Sequence, residues 1–212
     1  MSEKETLAQQ AYKDVKRRIL AGAIKAGDLL TERTLAIESG ISRTPLRAAI
    51  SRLQKEGVVS RLSNGTLMIL PVTVEQLLEI VQIRRLLEGA AAARAAERPM
   101  TTALDQSRQI MRAYVEGKDV AFDHFWMDDD GFHEAVAEAA DLHLLPDMLR
   151  EMRSIARRCT ITRTHDRFAE QAAEHIAVID AIEAHDPIAA AAAMEAHFDS
   201  VRSRFLRWLA QP

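Results

Sequence analysis

The sequence predicts a mainly α-helical chain in two parts. Residues 1–71 form a winged helix-turn-helix, and residues 72–212 form an antiparallel bundle of six or seven helices. Three observations carry this. Three short helical segments precede two apolar runs, Val58 to Leu62 and Thr66 to Leu70, that flank Asn64-Gly65, a strong hairpin signal. Beyond Pro71 every apolar pattern has helical spacing and every break is short. The charge divides at the same place: residues 1–71 hold 12 Lys+Arg against 7 Asp+Glu (net +5), and residues 72–212 hold 16 against 24 (net −8). A basic front on an acidic body is the asymmetry expected when one part meets phosphate and the other does not.

The first helix spans about Leu7 to Ala21, with Tyr12, Val15 and Ile19 at i, i+3 and i+7 and Gly22 as its stop. Lys25-Ala26-Gly27-Asp28 reads as a turn and Leu29-Leu30 as a short apolar link. Thr31 or Glu32 opens a second helix that ends at Gly40. Ser42 or Thr44 caps the third, in which Pro45 is tolerated because first-turn N–H groups have no intrahelical partner. Gly57 ends it, and Pro71 marks the domain boundary. The later helices are placed near 73–97, 101–116, 118–140, 142–163, 167–185 and 187–210. Their breaks fall at Arg98-Pro99, Gly117-Lys118-Asp119, Asp141, His165-Asp166 and His185-Asp186-Pro187.

Composition narrows the class. A hydrophobic content of 48% over 212 residues supports a buried core. The single cysteine, Cys159, excludes an intramolecular disulfide and reads as a small buried side chain. The start, MSEKETLAQQ, has no apolar signal region, and no apolar run of about 18 residues exists to span a bilayer. A cytoplasmic protein with no membrane partner is expected.

The segment SRTPLRAAISRLQKEG, Ser42 to Gly57, carries the most function. Leu46, Ile50 and Leu53 form an apolar back. Arg43 and Arg47, four apart, project from one front face. In a helix-turn-helix the second helix of the motif enters the major groove and its first residues meet base edges, where arginine can clamp guanine O6 and N7. Ser42 and Thr44 can cap the helix or contact phosphate. Arg33, Arg52 and Lys55 are placed to hold the backbone, and Gly65 lets the wing tip approach sugar or minor groove. Arginine pairs on a solvated helix face are common; it is the ordered set of helices, SRTP start and Asn-Gly wing that points to double-stranded DNA.

These residues resemble the N-terminal domain of the GntR family of bacterial transcription regulators. The resemblance runs from Tyr12 to Ile69 through Ile19-Leu20-Ala21-Gly22, Ala26-Gly27-Asp28-Leu29-Leu30, Leu35-Ala36, Gly40 to Arg47, Leu53, Glu56-Gly57-Val58-Val59 and Asn64-Gly65. Ala26 stands where the family usually has proline, and Ala48 where it usually has glutamate. The resemblance implies a homodimer that represses by binding a two-fold-related operator.

All seven histidines lie after residue 120. Asp129 and His133 are i, i+4, about 40° apart in projection at ~3.6 residues per turn. His175 aligns with Ile179 and Ile182, and His197 with Met194 and Val201, so both point inward. Inward imidazoles converging with a carboxylate make a divalent metal site; for any one of them, a buried histidine bonded to a neighbour is the commoner reading.

Residues 73–210 resemble the all-α effector domain of the FadR-type (FCD) branch of that family. Its Asp-x-x-Phe-His motif is matched by Asp129 to His133, its later Glu-His by Glu174-His175, and its last-helix histidine by His197. The resemblance implies a divalent ion, zinc first and nickel or manganese as alternatives, held by Asp129, His133, His175 and His197. It further implies a small carboxylate effector on that ion with an arginine partner. Arg85, three residues before Glu88, is the leading candidate, and Arg153 and Arg157 are further ones. Phe125 and Trp126 read as core, and Phe205 and Trp208 as helix or dimer packing. Two rivals differ in class: a metal hydrolase with an accessory basic domain, for which His133-Glu134 lacks the second histidine of HExxH, and a DNA-binding regulator whose metal is purely structural.

Overall fold

A computed structural model describes residues 5–118, 120–159 and 167–210. The chain divides into two compact units, residues 1–73 and 74–212.

In the first unit, α1 (Leu7–Leu20) starts with a reciprocal cap between Thr6 and Gln9 and buries Ala11, Tyr12, Val15 and Ile19. Strand β1 (Leu29–Leu30) precedes α2 (Glu32–Ser39), whose N-cap is Thr31, accepting from the Thr34 N–H. Gly40 closes α2 at φ 62°, a left-handed conformation that suits glycine. Helix α3 (Arg43–Lys55) buries Leu46, Ala49, Ile50 and Leu53. Ser42 occupies its N-cap position but its side chain makes no capping bond, and Thr44 lies inside the first turn. Strands β2 (Val59–Arg61) and β3 (Leu67–Ile69) form the wing, in the register Ser60 opposite Met68. Leu29-Leu30, read above as a link, is a third strand: it pairs antiparallel with β3, giving the order β1-β3-β2. Gly65, at φ 83°, turns the tip.

In the second unit the helices are α4 (Val74–Ala96), α5 (Thr102–Val115), α6 (Phe122–Ala139), α7 (Leu145–Ala156), α8 (Phe168–Glu183) and α9 (Pro187–Leu209). Helix α6 begins four residues later than the sequence suggests. Helix α7 begins at Leu145, with Pro146 in its first turn. The expected continuation of that helix over 160–163 and the break at His165-Asp166 lie outside the described residues. Helix α4 packs along α9, and α8 packs against both α9 and α5. Asp186 caps α9 by accepting from the Ala189 N–H. The interior, Leu77, Leu104, Phe125, Phe132, Val178, Ile179 and Phe198, is tightly buried. Among the described residues no helix is long and apolar enough to cross a membrane.

Candidate functional site

In the first unit the side chains read as DNA contacts all reach solvent. Arg33, Ser42, Arg43, Thr44, Arg47, Arg52, Lys55 and Gly65 are all exposed. Their environments differ. Arg47 donates from Nε to Glu32 Oε2 at 2.8 Å, and the wing residue Arg61 donates from Nη2 to Glu32 Oε1 at 2.6 Å. One carboxylate of α2 thus ties the reading helix to the wing, and the Arg47 hydrogen bond holds Glu32 below its ordinary value. Sequence reasoning missed both Glu32 and Arg61. Arg52 is drawn back against the domain: its guanidinium lies 3.8 Å from the Tyr12 ring centre and its Nε bonds Glu56. Arg33 and Arg43 form no ion pair among the described residues.

The second unit places the four proposed metal ligands together. Asp129 and His133 come from α6, His175 from α8 and His197 from α9, and all four are buried. One ring nitrogen from each histidine lies within 4.8 Å of the other two. Nitrogens ~2.1 Å from a tetrahedral ion are about 3.4 Å apart, so the three rings would draw closer around a bound ion. Each Nδ1 faces away from the centre. That of His133 lies 2.5 Å from Glu88 Oε2, that of His197 lies 2.8 Å from Glu174 Oε2, and that of His175 lies 3.4 Å from Met111 Sδ. Carboxylates behind a ring, as at His133 and His197, fix imidazole orientation in metal sites and leave the other nitrogen for the ion. His175 Nε2 is buried and makes no hydrogen bond among the described residues, though it lies 3.4 Å from Asp129 Oδ1. A buried ring nitrogen aimed at a carboxylate without bonding it fits a place for a cation. Phe132 stacks on the His175 ring at 4.0 Å and holds it there.

The electrostatics agree with that donor set. Burial alone would raise the Asp129 carboxyl, but the charge around it, that of Arg153 first, holds it well below the usual carboxylate range. Burial pushes His175 well below its ordinary value, and burial also lowers His197 against the opposing pull of Glu174. Neutral imidazoles and an ionised carboxylate are the forms that bind metal. Glu88 and Glu174 are both held at about 2: burial opposes this, Arg84 and His133 overcome it for Glu88, and His197 and Arg204 for Glu174.

Beside the cluster lies a cavity whose space open to water centres is ≈ 50 Å³, room for about four waters. Its polar wall holds Asp129, His133, His197 and Gln171 with the guanidiniums of Arg84, Arg153 and Arg204, and its apolar wall includes Leu77, Ile80, Trp126 and Phe205. Of the three arginines expected to meet a ligand, only Arg153 lines it. Arg85 lies on the outer side of α4, bonded to Asp199 and Glu195, and Arg157 pairs with Asp123. The cavity arginine of α4 is its neighbour Arg84, which bonds Glu88 at 2.6 Å. The register was legible: Leu77, Val81, Arg84 and Glu88 form one i, i+4, i+7 stripe, and Arg85 falls off it. Arg204 and Gln171 were missed as well, although Arg204 extends the stripe of His197 and Val201, and Gln171 sits one turn before His175. Trp126, read as core, is a cavity wall under Arg153, 4.7 Å from that guanidinium to the ring centre. Arg153 also meets Asp129 at 2.5 Å and pairs with Asp130. Asp128 turns elsewhere, accepting from the Tyr114 hydroxyl.

Residues 7–69 match the bacterial regulatory proteins of the gntR family, and residues 79–200 match the FCD domain. The chain belongs to the GntR family of transcription regulators. It is 25% identical to the gluconate operon transcriptional repressor of Bacillus subtilis over 100% of this chain and 90% of that protein. It is also 25% identical to the HTH-type transcriptional repressor RspR of Escherichia coli, over 91% and 86%. Among solved structures, Escherichia coli McbR/YncC matches with a TM-score of 0.76 at 20% identity, covering 97% of this chain and all of that one. A regulator from a Rhodococcus species matches at 0.70 and 17%, covering 94% and 97%. These likenesses support the fold; the family assignment makes the chain a DNA-binding regulator rather than an enzyme, which sets the hydrolase alternative aside.

Proposed function

We propose that this GntR-family regulator is a homodimeric repressor whose operator affinity is set by a small organic acid, and that the acid binds beside a divalent ion held by Asp129, His133, His175 and His197. The observation that carries this reading is the meeting of three buried histidines and an ionised, buried aspartate at the wall of an arginine-lined cavity. A divalent ion bound there supplies a positive centre for a carboxylate. The chain's own groups do the rest: Glu88 and Glu174 orient two of the imidazoles, Arg84, Arg153 and Arg204 bring cationic donors to the cavity, and the apolar wall keeps water from competing. An acid that binds two states of the regulator unequally shifts the balance between them, and with it operator affinity. On the DNA side, Arg43 and Arg47 read bases, Ser42, Thr44 and Arg33 hold backbone, Gly65 and Arg61 bring the wing to the duplex, and Arg52 and Lys55 add charge along α3.

The test is metal analysis of untagged protein, followed by thermal-shift titration of small carboxylates with and without chelator. The reading expects about one divalent ion per chain and acids that stabilise only the loaded protein. No uptake of zinc, nickel or manganese overturns the metal site. If chelation unfolds the second unit and no acid binds the loaded protein, the ion is structural.

A further inference from the structure

We propose that Met111 is a positioning residue of the candidate metal site: its thioether sulfur accepts the Nδ1 proton of His175 and so leaves Nε2 of that ring free for the ion. This rests on the metal-dependent reading above. It concerns the one imidazole of the three that, among the described residues, has no carboxylate behind it.

A neutral imidazole carries one proton, and the hydrogen bond made by the nitrogen away from the ion decides where it sits. At His133 and His197 that bond is to a carboxylate, Glu88 and Glu174. At His175 it is to Met111 of α5, whose Sδ lies 3.4 Å from Nδ1, and both side chains are fully buried. Phe132 lies nearly flat on the ring, 17° from parallel, and keeps Nδ1 directed at the sulfur. On the opposite edge Asp129 Oδ1 stands 3.4 Å from Nε2 without bonding it, and the same oxygen receives the Gln171 amide at 2.6 Å. Two places thus compete for the His175 proton. On Nε2 it faces an oxygen engaged by Gln171 and blocks the ion. On Nδ1 it faces the sulfur and leaves Nε2 open. The contact with Met111 favours the second.

A buried methionine more often serves to fill irregular space, and Met111 does belong to the inner stripe of α5 with Leu104, Ser107 and Tyr114. The two roles make opposite demands. A space-filler tolerates leucine, which is apolar and close in volume. It suffers from glutamine, which brings a polar amide into the core. An acceptor is lost in Met111→Leu and strengthened in Met111→Gln, because a thioether accepts weakly and a carboxamide oxygen accepts well. Without an acceptor, an ion on Nε2 leaves the Nδ1 proton buried and unbonded, and that cost falls on metal binding.

The experiment uses the full-length protein and two readouts. Long-range proton–nitrogen correlation spectra of the metal-free protein show which nitrogen of His175 carries the proton, with His175→Gln identifying its signals. Zinc affinity is measured by competition with a chelator for wild type, Met111→Leu and Met111→Gln, and metal-free melts of each check that the fold is kept. The expected result is an Nδ1 proton in wild type that moves toward Nε2 in Met111→Leu. Zinc should bind Met111→Leu about tenfold more weakly and Met111→Gln at least as tightly as wild type. Zinc binding in Met111→Leu equal to wild type assigns Met111 to packing and overturns the proposal. An Nε2 proton in the wild-type ring also overturns it, and so does an equal loss in both folded variants. If Met111→Gln does not fold, Met111→Leu and the spectra decide. Wild type that takes up no zinc, nickel or manganese overturns the preceding reading, and this one with it; normal uptake that Met111→Leu leaves untouched overturns this one alone.

Discussion

His197 Nδ1 lies 2.8 Å from Glu174 Oε2, and the same carboxylate receives both terminal nitrogens of Arg204 at 2.8 and 3.0 Å. An arginine of the cavity, a carboxylate and a candidate metal ligand thus form a chain. Arg84, Glu88 and His133 repeat it on the other side. A change at either glutamate should therefore register at the ion.

Glu174→Gln should weaken divalent-metal affinity roughly 10–100-fold, the usual effect of removing a carboxylate behind a ligating histidine. Competition against a chromophoric chelator reads this directly. An unchanged dissociation constant would mean that His197 does not serve as a ligand.

Arg43→Ala and Arg47→Ala should each cost about 1–3 kcal/mol of discrimination between an operator obtained by in vitro selection and a scrambled duplex. Helical content should be preserved, because both side chains are exposed. Gel-shift titration of both duplexes gives the ratio, and equal losses on the two would reduce these residues to phosphate contacts.

Glu32→Gln should have a different signature. Without that carboxylate, Arg47 and Arg61 lose their shared anchor while the surface becomes more positive. Binding to scrambled DNA should tighten and grow more salt-sensitive, and the specificity ratio should fall. Fluorescence anisotropy across a salt series separates this from a simple loss of affinity.

The second unit should lose stability in acid. Glu88 and Glu174 sit at about 2 in the folded protein against an ordinary 4.5. A depressed folded-state value contributes stability that is present above the ordinary value and is lost as pH falls toward the folded one. Thermal melts of metal-free protein should therefore drop between about pH 4.5 and about pH 2, and Glu174→Gln should flatten that decline. A flat wild-type profile over this window would contradict the placement of both groups.

Helical periodicity made much of this legible. His175 and His197 reveal their inward direction through neighbours three, four and seven residues away, and Asp129 and His133 share one turn. Adjacent arginines were harder. Arg84 and Arg85 differ by about 100°, and only the register of Leu77, Val81 and Glu88 separates the cavity residue from the surface one. Strand β1 could not be read at all, because two leucines are too short to show alternation and their partner, β3, lies some forty residues on. Glu32 likewise meets Arg47 and Arg61 only through tertiary packing. Local patterns report which face a residue occupies; they do not report which residues of other elements share it.

The pairing of β1 with β3 bears on how the wing meets a duplex. A lone two-stranded ribbon would swing about its base like a loose flap. Here the returning strand is gripped on both edges, by Leu29-Leu30 on one side and Val59 to Arg61 on the other. The short tip at Asn64-Gly65 is therefore a cantilever on a clamped root, and its height above the reading helix is fixed before any nucleic acid arrives. Lengthening the root by one residue should then misplace the tip instead of being absorbed by slack.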